Sequence, residues 1–448
     1  MPKKKTALTI EERLQQALVP AEEQPYEVPE NWVWVRLESV ASWGSGGTPS
    51  RKHEEYYNGD ILWIKTGELN NGWIYDTEEK ITDEGLKKSS AKLFPPYSVL
   101  IAMYGATIGK VAILGVPATT NQACACAVCN QSLLYMYLFY YCISQKNVFI
   151  EKGKGGAQPN ISQIILKQHP IPLPPLSEQQ RIVERIEELF AKLDEAKERL
   201  QEVADSFAVR KAAILHKAFT GELIGKKIEQ LVPLESLVDL IKIGPFGSAL
   251  HESDYIENGI PLVNPKHIVQ QHIVPQSKIS ISEEKAEELS SYKLKENDIV
   301  LGRRGEMGRC APISNREENW ICGTGSMIIR LKKEYDAKLY SLILGSQATV
   351  TYLENSAVGS TLKNLNEKIV RKIPVPQFSN EEQHEIVRLI DDLLARERAA
   401  QQATEQALAS IDLMKKSILA RAFRGELGTN KASEASALEL LKQVLAED

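Results

Sequence analysis

Arginines and glycines are concentrated in one short stretch of the sequence, Gly302 to Arg309, which reads "GRRGEMGR". Its three arginines, Arg303, Arg304 and Arg309, are more than a plain turn requires. An arginine guanidinium can donate two parallel hydrogen bonds to a base edge or to a phosphate, and glycine lets the backbone approach a phosphate closely. The stretch therefore predicts contact with a polyanion.

Similar polar and basic side chains accompany glycine turns in two separate parts of the chain. Arginine, asparagine and glutamine can read base edges by paired hydrogen bonds. For any single residue, an ordinary solvated position on the surface is the alternative explanation. The candidate contacts are Thr48, Ser50, Arg51, Lys65, Tyr104, Lys110, Asn121, Gln122, Lys154 and Gln158 in the first part, and Lys242, Asn264, Lys266, His267, Arg303, Arg304 and Arg309 in the second.

The sequence contains no familiar catalytic motif. The glycine-rich stretches 44–50 and 153–159 lack the lysine and hydroxyl of a phosphate-binding loop, and neither a His-Glu-x-x-His nor a Gly-x-Ser-x-Gly pattern occurs. "VNPK" (Val263 to Lys266) matches the start of the Asn-Pro-Pro-aromatic loop of adenine methyltransferases, but it lacks the second proline and the aromatic residue. We therefore predict no catalytic residues and no bound cofactor in this chain.

A cluster of cysteines is the main candidate for a metal site. Cys124, Cys126 and Cys129 alternate with alanine and valine in "CACAVC". This pattern is typical of a buried strand, and free cysteine is a common core residue. Because no second group of ligands with recognisable spacing follows, we predict a strand without a metal, with a structural metal as the alternative.

Composition limits the kind of molecule to which these side chains belong. A chain of 448 residues predicts about two to four domains. The net charge of −5 argues against a uniformly basic surface, so any contact with nucleic acid must use local basic patches. Residues 31–175 and 226–376 are nearly neutral, whereas the remaining segments are acidic.

The sequence also indicates a cytoplasmic location. The N-terminal stretch "MPKKKTALTIEERLQQAL" lacks the apolar core of an export signal, and the six cysteines have no secretory context. The apolar run from Leu133 to Ile143 has about half of the ~20 residues that a membrane span requires. It predicts a buried helix.

A long helix is predicted after the first nearly neutral segment. Ser177, with Gln180 three residues later, follows a proline-rich stretch and forms a capping-box pattern, so the helix is expected to begin at Ser177. Apolar residues then recur in alternating steps of four and three from Ile182 to Phe207, which indicates a coiled-coil seam. Gly221 is the predicted C-terminal cap.

The same plan is repeated near the end of the chain. Ser379 and Glu382 again follow prolines, and "KAAILHKAFTGEL" (Lys211 to Leu223) is echoed by "KKSILARAFRGEL" (Lys415 to Leu427). Each helix would be about 60 Å long at 1.5 Å per residue, which is too long for the interior of one small domain. Each therefore needs a partner helix, and the two are expected to pair with each other.

The two nearly neutral segments repeat each other more faintly. "NGDILWI" (Asn58 to Ile64) matches "NGIPLVN" (Asn258 to Asn264), and "SVLIAMYGATIGKVAI" (Ser98 to Ile113) matches "DIVLGRRGEMGRCAPI" (Asp298 to Ile313). Short strands, glycine turns and one helix in each segment favour mixed α+β domains. The predicted segments are 1–30, 31–175, 176–225, 226–376, 377–428 and 429–448, of which 176–225 and 377–428 are the helical regions.

With these motifs, in this order and in duplicate, the chain resembles the specificity subunits of Type I restriction-modification systems over nearly its whole length. The residues that carry the resemblance are "GGTPSR", "NGDILWIKTGEL", "YGATIGKVAIL", "TNQACACAV", "GGAQPNIS", "IPLPPLSEQQRIVERI" with its second copy, and the two echoed helix ends. The second segment departs from the commonest pattern, with "GPFGSAL" where the first has "GGTPSRK".

The resemblance implies a fold and a set of partners. Two mixed α/β target recognition domains would each read half of a split, double-stranded DNA site, and two long helices would pair as an antiparallel coiled coil with internal pseudo-two-fold symmetry. The chain would hold two methyltransferase subunits, with S-adenosylmethionine on those partners and ATP and magnesium on restriction subunits. Two alternatives stay open at this stage: a free-standing DNA adenine methyltransferase and a coiled-coil scaffold without DNA specificity.

Overall fold

The computed structural model describes residues 9–153, 159–246, 249–356 and 364–447. The chain divides into two compact units, a first unit of Met1–Arg199 with Ala407–Asp448 and a second unit of Leu200–Gln406. Each unit contains one mixed α/β domain and part of each of two long helices.

The α/β domain of the first unit is built from short elements. Its strands are β1 (Val33–Arg36), β2 (Ala41–Ser45), β3 (Tyr57–Ile64), β4 (Gly72–Ile74), β5 (Lys80–Ile81), β6 (Val99–Ala102), β7 (Val111–Leu114), β8 (Thr119–Thr120), β9 (Cys124–Cys129) and β10 (Pro170–Leu173). The shorter helices of this unit are α1 (Ile10–Ala17), α2 (Asp83–Lys87), α3 (Tyr135–Ser144), α4 (Lys146–Lys152), α5 (Gln163–Lys167) and, near the C-terminus, α12 (Ala437–Glu447).

Two sheets and one aromatic helix form the core of this domain. A five-stranded sheet has the order β2-β9-β6-β7-β4, a smaller sheet has the order β5-β3-β8, and β1 pairs with β10. Helix α3 packs on β6 and β7 and buries Tyr137, Leu138 and Tyr141. The buried helix predicted for the run from Leu133 to Ile143 is therefore confirmed.

The second unit contains a comparable set of elements. Its strands are β11 (Val232–Pro233), β12 (Val238–Ile243), β13 (Ile260–Val263), β14 (Ile268–Val269), β15 (His272–Ile273), β16 (Ser280–Ile281), β17 (Asp298–Gly302), β18 (Cys310–Pro312), β19 (Ile321–Cys322), β20 (Ser326–Leu331) and β21 (Pro374–Val375). Its shorter helices are α7 (Glu283–Glu288), α8 (Ala337–Leu344), α9 (Gln347–Ser356) and α10 (Glu367–Arg371).

The sheets of the two units share a common strand order, to which the first unit adds β4 at one edge. The order β12-β20-β17-β18 in the second unit reproduces β2-β9-β6-β7 in the first, and β16-β13-β19 reproduces β5-β3-β8. In each small sheet the central strand has one antiparallel and one parallel neighbour. Strand β3 is antiparallel to β5 and parallel to β8, and β13 is antiparallel to β16 and parallel to β19. The internal repeat predicted from the sequence is therefore confirmed in the fold.

The repeated Asn-Gly pairs are structurally equivalent as well. Asn58 and Asn258 both have positive φ angles, 58° and 61°. A Cβ on the following glycine would lie 2.5 Å from the Ile81 carbonyl oxygen in the first unit and 2.3 Å from the Ile281 carbonyl oxygen in the second. Asparagine tolerates the positive φ and glycine carries no Cβ, so an Asn-Gly pair meets both demands with little strain.

The two long helices, α6 (Leu176–Phe219) and α11 (Asn380–Ala422), contribute to both units. In the first unit, Asp194 pairs with Lys415 and Lys197 with Asp412. Moving toward the C-terminus of α6 therefore means moving toward the N-terminus of α11, so the two helices are antiparallel. In the second unit, Arg210–Glu397 and Lys226–Glu382 follow the same rule.

The echoed helix ends perform the same structural task in each unit. Gly221 and Gly425 both have left-handed φ angles, 79° and 75°, and terminate α6 and α11. In the first unit Asn430, just beyond α11, donates to Glu178 in the first turn of α6 at 2.8 Å. In the second unit Lys226, just beyond α6, pairs with Glu382 in the first turn of α11.

The beginning of α6 differs from the prediction. The helix starts at Leu176, and the Ser177 hydroxyl donates to Glu434 instead of forming a capping box with Gln180. The reason is that the first turn is engaged by other parts of the unit. The second predicted box is present, since Ser379 and Glu382 bond reciprocally at 3.3 and 2.9 Å.

The cysteine segment and the apolar helices behave as ordinary core. Cys124–Cys129 is strand β9, and burial raises the pKa of the Cys126 and Cys129 thiols to about 12. Among the described residues, no three His, Cys, Asp or Glu side chains are grouped so that they could hold a metal ion. In the same part of the chain, no helix is long and apolar enough to cross a membrane.

Candidate nucleic-acid interface

In the second unit the candidate residues gather where the parallel strands β13 and β19 end. Asn264 directly follows β13, and its Oδ1 accepts a hydrogen bond from Gly325 N at 3.4 Å. A Cβ on Gly323 would lie 2.3 Å from Asn264 Oδ1. A glycine at position 323 therefore leaves room for the Asn264 side chain in its observed position. We call this region, with the adjoining turns, the strand-end edge of the second unit.

The arginine-rich turn between β17 and β18 lies at the same edge. Gly305 and Gly308 have positive φ angles of 83° and 76°, which bend the backbone sharply. Arg303 N donates to Gly325 O at 2.9 Å, and Arg309 Nη1 donates to Pro265 O at 3.4 Å. These bonds place the turn against the end of β13. Arg309 and Pro265, which the second bond joins, are 44 residues apart in the sequence.

The three arginines have different surroundings. Arg303 is half-buried and donates through Nε to Leu365 O at 3.1 Å, and burial followed by the charge of Arg304 lowers its pKa. Arg309 pairs with Glu306, and its side chain is 35% exposed. Arg304 is exposed on the turn. Of the three, Arg304 is the most accessible to an approaching polyanion.

The other candidates of this unit divide into surface and interior. Lys266 is exposed beside Asn264, and Lys242 Nζ lies 4.2 Å from the ring centroid of Tyr292. His267 is 1% exposed, with Nδ1 2.8 Å from the Leu262 carbonyl oxygen, and burial lowers its pKa. As placed, His267 supports the turn from beneath the surface, because its ring does not reach solvent.

The first unit has an equivalent strand-end edge, where β3 and β8 end. Asn121 N donates to Ile64 O at 2.9 Å, and Asn121 Oδ1 accepts from Ala123 N at 3.1 Å. The hydroxyl of Thr48 donates to Gln122 Oε1 at 2.5 Å, which brings the "GGTPSR" segment to the same edge. Both Thr48 and Gln122 are exposed.

The turn between β6 and β7 completes this edge. Gly105 and Gly109 have positive φ angles, 62° and 75°. Tyr104, which precedes the turn, is 41% exposed, and Lys110 follows it, half-buried. Met103 N donates to Ala123 O at 2.9 Å, so the turn adjoins the Asn121 segment.

Two aromatic residues fix the "GGTPSR" segment. Trp63 Nε1 donates to Gly47 O at 2.9 Å, and the Tyr57 hydroxyl donates to Pro49 O at 2.5 Å. The Arg51 guanidinium carbon lies 4.4 Å from the centroid of the Tyr57 ring and 5.2 Å from that of the Trp63 ring. Ser50 is exposed between these anchored residues.

Lys65, directly after β3, shares an acidic partner with Arg51. Lys65 Nζ lies 2.9 Å from Glu79 Oε1 and 3.3 Å from Glu78 Oε2. The other oxygen of Glu79 lies 2.7 Å from Arg51 Nη1. Hydrogen bonds to Glu79 raise the pKa of both cations.

The structure thus brings most candidates of each segment to one edge of one unit. Lys154 and Gln158 lie outside the described residues. DNA contact by the individual side chains stays a prediction, and the burial of His267 limits it to an indirect role. Sequence reasoning missed Glu79 and the aromatic anchors of Arg51. The apolar run "ILWI" was the available signal that Trp63 is buried, but nothing in the sequence marked Glu79.

Comparison with known proteins adds a family. The family model for the Type I restriction modification DNA specificity domain matches residues 29–205 and 235–408. The Type I restriction enzyme EcoBI specificity subunit of Escherichia coli is 25% identical over 465 aligned positions, covering 94% of this chain and 93% of that protein. The MjaIX specificity subunit of Methanocaldococcus jannaschii is 29% identical over 298 positions, covering 62% and 68%.

A solved structure has the same fold. The HsdS subunit from Thermoanaerobacter tengcongensis superimposes with a TM-score of 0.63 at 20% identity, covering 90% of this chain and 100% of that one. A second solved structure, which describes complex assembly and conformational transition of the type I R-M system, superimposes with a TM-score of 0.64 at the same identity and coverage.

Proposed function

The chain belongs to the family of Type I restriction-modification DNA specificity subunits, and we propose that it recognises a bipartite, asymmetric DNA target, with one half-site read by each unit. The family accounts for recognition of DNA in general. The division of the target between the units is our proposal, and it is supported by the two equivalent strand-end edges.

One observation carries this proposal: the two edges share a backbone plan but present different side chains. Each is formed by the ends of a parallel strand pair and a glycine turn between two antiparallel strands. The first presents Thr48, Asn121 and Gln122, whereas the second presents Asn264 and the three arginines. Because different side chains prefer different base edges, two such surfaces suit two different half-sites.

The test is to exchange residues 31–175 for the matching segment of a relative and to map methylated adenines in cells that carry the complex. We expect one half of the methylated sequence to change and the other to stay. A matched control exchanges residues 226–376 and should change the opposite half. Simultaneous change of both halves by a single, well-folded exchange would contradict the division.

We further propose that the chain holds two methyltransferase subunits at equivalent places, and restriction subunits through them. The supporting observation is a pair of exposed apolar residues at matching positions two residues before the echoed helix ends, Val209 in α6 and Leu413 in α11, with exposures of 70% and 65%. Exposed apolar side chains on a helix favour contact with another protein. Two matching positions suit two copies of one partner.

The remaining proposals concern chemistry and location. We propose that the chain is not catalytic by itself, that S-adenosylmethionine binds the methyltransferase partners, and that ATP and magnesium bind the restriction partners. Methyl transfer to DNA by the purified chain alone would favour the free-standing methyltransferase instead. A cytoplasmic location agrees with these partners and is part of the same proposal.

A further inference from the structure

Arg51, Lys65 and Glu79 form a compact charged group at the strand-end edge of the first unit, which we call the Glu79 clamp. One carboxylate oxygen of Glu79 lies 2.7 Å from Arg51 Nη1 and the other 2.9 Å from Lys65 Nζ. The two cations therefore bind opposite oxygens of a single anion. Such a pair of donors suits two oxygens of a phosphate equally well.

Arg51 is held by aromatic contacts in addition to its pair with Glu79. Its guanidinium lies over the rings of Tyr57 and Trp63, and both rings are hydrogen-bonded to carbonyls of the segment that carries Arg51. Cation–π contact holds a guanidinium in place without neutralising its charge. Removing the carboxylate should therefore leave Arg51 in position with its charge unpaired.

The backbone of Lys65 is also fixed independently. Lys65 N donates to Glu68 Oε2 at 2.7 Å, and Glu78 N donates to Glu68 Oε1 at 3.0 Å. Glu68 thus ties the start of this loop to the segment that carries Glu79. The loop keeps its shape through Glu68, so a substitution of Glu79 changes charge more than geometry.

The clamp can be reached and opened from solvent. The side chains of Arg51, Lys65 and Glu79 are 57%, 32% and 31% exposed. Ion pairs of this exposure contribute little to stability, so one anion can replace another at small cost. Hydrogen bonds from Arg51 and then Lys65 lower the pKa of the Glu79 carboxyl, so it is anionic near neutral pH.

We propose that Glu79 occupies the position of a DNA backbone phosphate and is displaced by that phosphate when the first unit binds its half-site. This inference rests on the proposed function, because it assigns one phosphate contact within it. In the free protein Glu79, together with Glu78 beside Lys65, offsets the charge of the two cations, which weakens binding to arbitrary DNA. At the target, contacts to base edges hold the duplex close enough for the phosphate to replace the carboxylate.

The clamp is confined to the first unit. The Asn-Gly turns and the following strands match at an offset of 200 residues, which places Pro265 and Ile279 opposite Lys65 and Glu79, and the match of "GPFGSAL" to "GGTPSRK" places Ala249 opposite Arg51. None of these three can form the same group. At these matching positions, which lie within the described part of the second unit, no second clamp can therefore form to mask the effect.

The test is Glu79→Gln in the full chain with its methyltransferase partners, compared with Asp76→Asn. Asp76 lies in the same loop and pairs with Lys80 at 2.9 Å, so the control makes the same change of net charge away from the clamp. We expect Glu79→Gln to tighten binding to a generic 30-base-pair duplex by about three- to tenfold, and Asp76→Asn to have a smaller effect. Discrimination between the mapped methylation target and the generic duplex should fall accordingly.

Two further variants determine how the result is interpreted. Arg51→Ala should weaken binding to both duplexes, reduce the salt dependence by about one phosphate contact, and cancel the effect of Glu79→Gln in the double variant. If Glu79 merely positioned the two cations, Glu79→Gln would weaken binding instead, and that result overturns the inference. Equal effects of Glu79→Gln and Asp76→Asn overturn it as well.

The inference and the proposed function can fail separately. A wild-type complex that does not distinguish its mapped target from the generic duplex would contradict the proposed function. The comparison of Glu79→Gln with Asp76→Asn on the generic duplex would still decide whether the clamp competes with phosphate. Glu79→Ala repeats the comparison without any side-chain hydrogen bond, should Glu79→Gln lower the melting temperature.

Discussion

At the scale of single residues, the strand-end edge of the second unit ranks its three arginines. Arg303 donates one of its hydrogen bonds to Leu365 O, and Arg309 is paired with Glu306. Arg304 is exposed on the same glycine turn. The surroundings of the three arginines therefore predict unequal contributions to DNA binding. Arg304 is expected to contribute to binding without a structural role, and Arg303 is expected to contribute partly to stability.

We predict that replacing Arg303, Arg304 and Arg309 together by alanine weakens binding to the target. A bidentate arginine–guanine pair lost to alanine should cost about 1–3 kcal/mol and relax specificity at one position, while a lost phosphate contact weakens all sequences alike. Among the single variants, Arg304→Ala should affect binding with the least loss of stability. Binding isotherms at fixed salt, with thermal melting in parallel, separate the two effects.

Arg316→Ala is the matched control for this series. Arg316 is an exposed arginine of the same unit, 66% accessible, and it lies over Trp320, 6.0 Å from the ring centroid. It is not part of the strand-end edge. A folded triple variant that binds its site as tightly as the parent would show that these arginines do not contact DNA.

At the scale of elements, a buried glutamine joins each long helix to the aromatic or apolar helix of its own domain. Gln179 accepts a hydrogen bond from Leu134 N at 2.9 Å, just before α3, and donates to Ser132 O and Pro174 O. Gln383 repeats this with Asp336 N, Glu334 O and Phe378 O. The loop before the helix is thereby fixed to the first turn of α6 or α11.

Gln179→Ala should lower the stability of the first unit by about 2–4 kcal/mol, because it leaves several buried backbone groups without partners. Gln180→Ala is the control, since Gln180 is exposed and bonds only within its own helix, to Glu184. Urea unfolding of both variants measures the difference. Similar midpoints for the two would mean that water satisfies the exposed groups and that the glutamine does not secure the junction.

At the scale of the whole molecule, the sequence repeat between the two long helices bears on how the protein assembles with its partners. Phe207 and Ile411 occupy matching positions and are both buried, whereas Val209 and Leu413, two residues later, are both exposed. The repeat thus preserves an interior position and an exterior apolar position together. Burial in the folded protein accounts for the first position, and the proposed contact with two copies of one partner would account for the second.

We predict that Val209→Asp and Leu413→Asp each reduce the number of methyltransferase subunits bound from two to one, and that the double variant binds neither. A charge placed in an apolar contact is costly to desolvate, so the affinity at the altered place should fall about tenfold or more. Ser417→Asp introduces the same charge at another exposed position of α11 and serves as the control. Native mass spectrometry of the reconstituted complex counts the subunits, and retention of both copies by the double variant would contradict the assignment.

Local rules in the sequence were sufficient for the elements and for the repeat. Periodic apolar residues determined α6 and α11, the apolar run at 133–143 determined α3, and the Asn-Gly pairs determined two turns whose glycines admit no side chain. The start of α6 was predicted one residue late, because Ser177 is drawn to Glu434, more than 250 residues away. The segment boundaries at 30, 175, 225, 376 and 428 stay predictions.

What only the tertiary structure decided is which side chains meet. The sequence placed His267 among the surface candidates, yet folding buries it under the Asn264 turn. It left Arg51 and Lys65 as separate cations, yet folding brings Glu79 between them and two aromatic rings beneath Arg51. Helices and turns follow from neighbours within a few residues, so pattern suffices for them. Burial and charge pairing depend on contacts between distant segments, which exist only once the strands have been assembled into sheets.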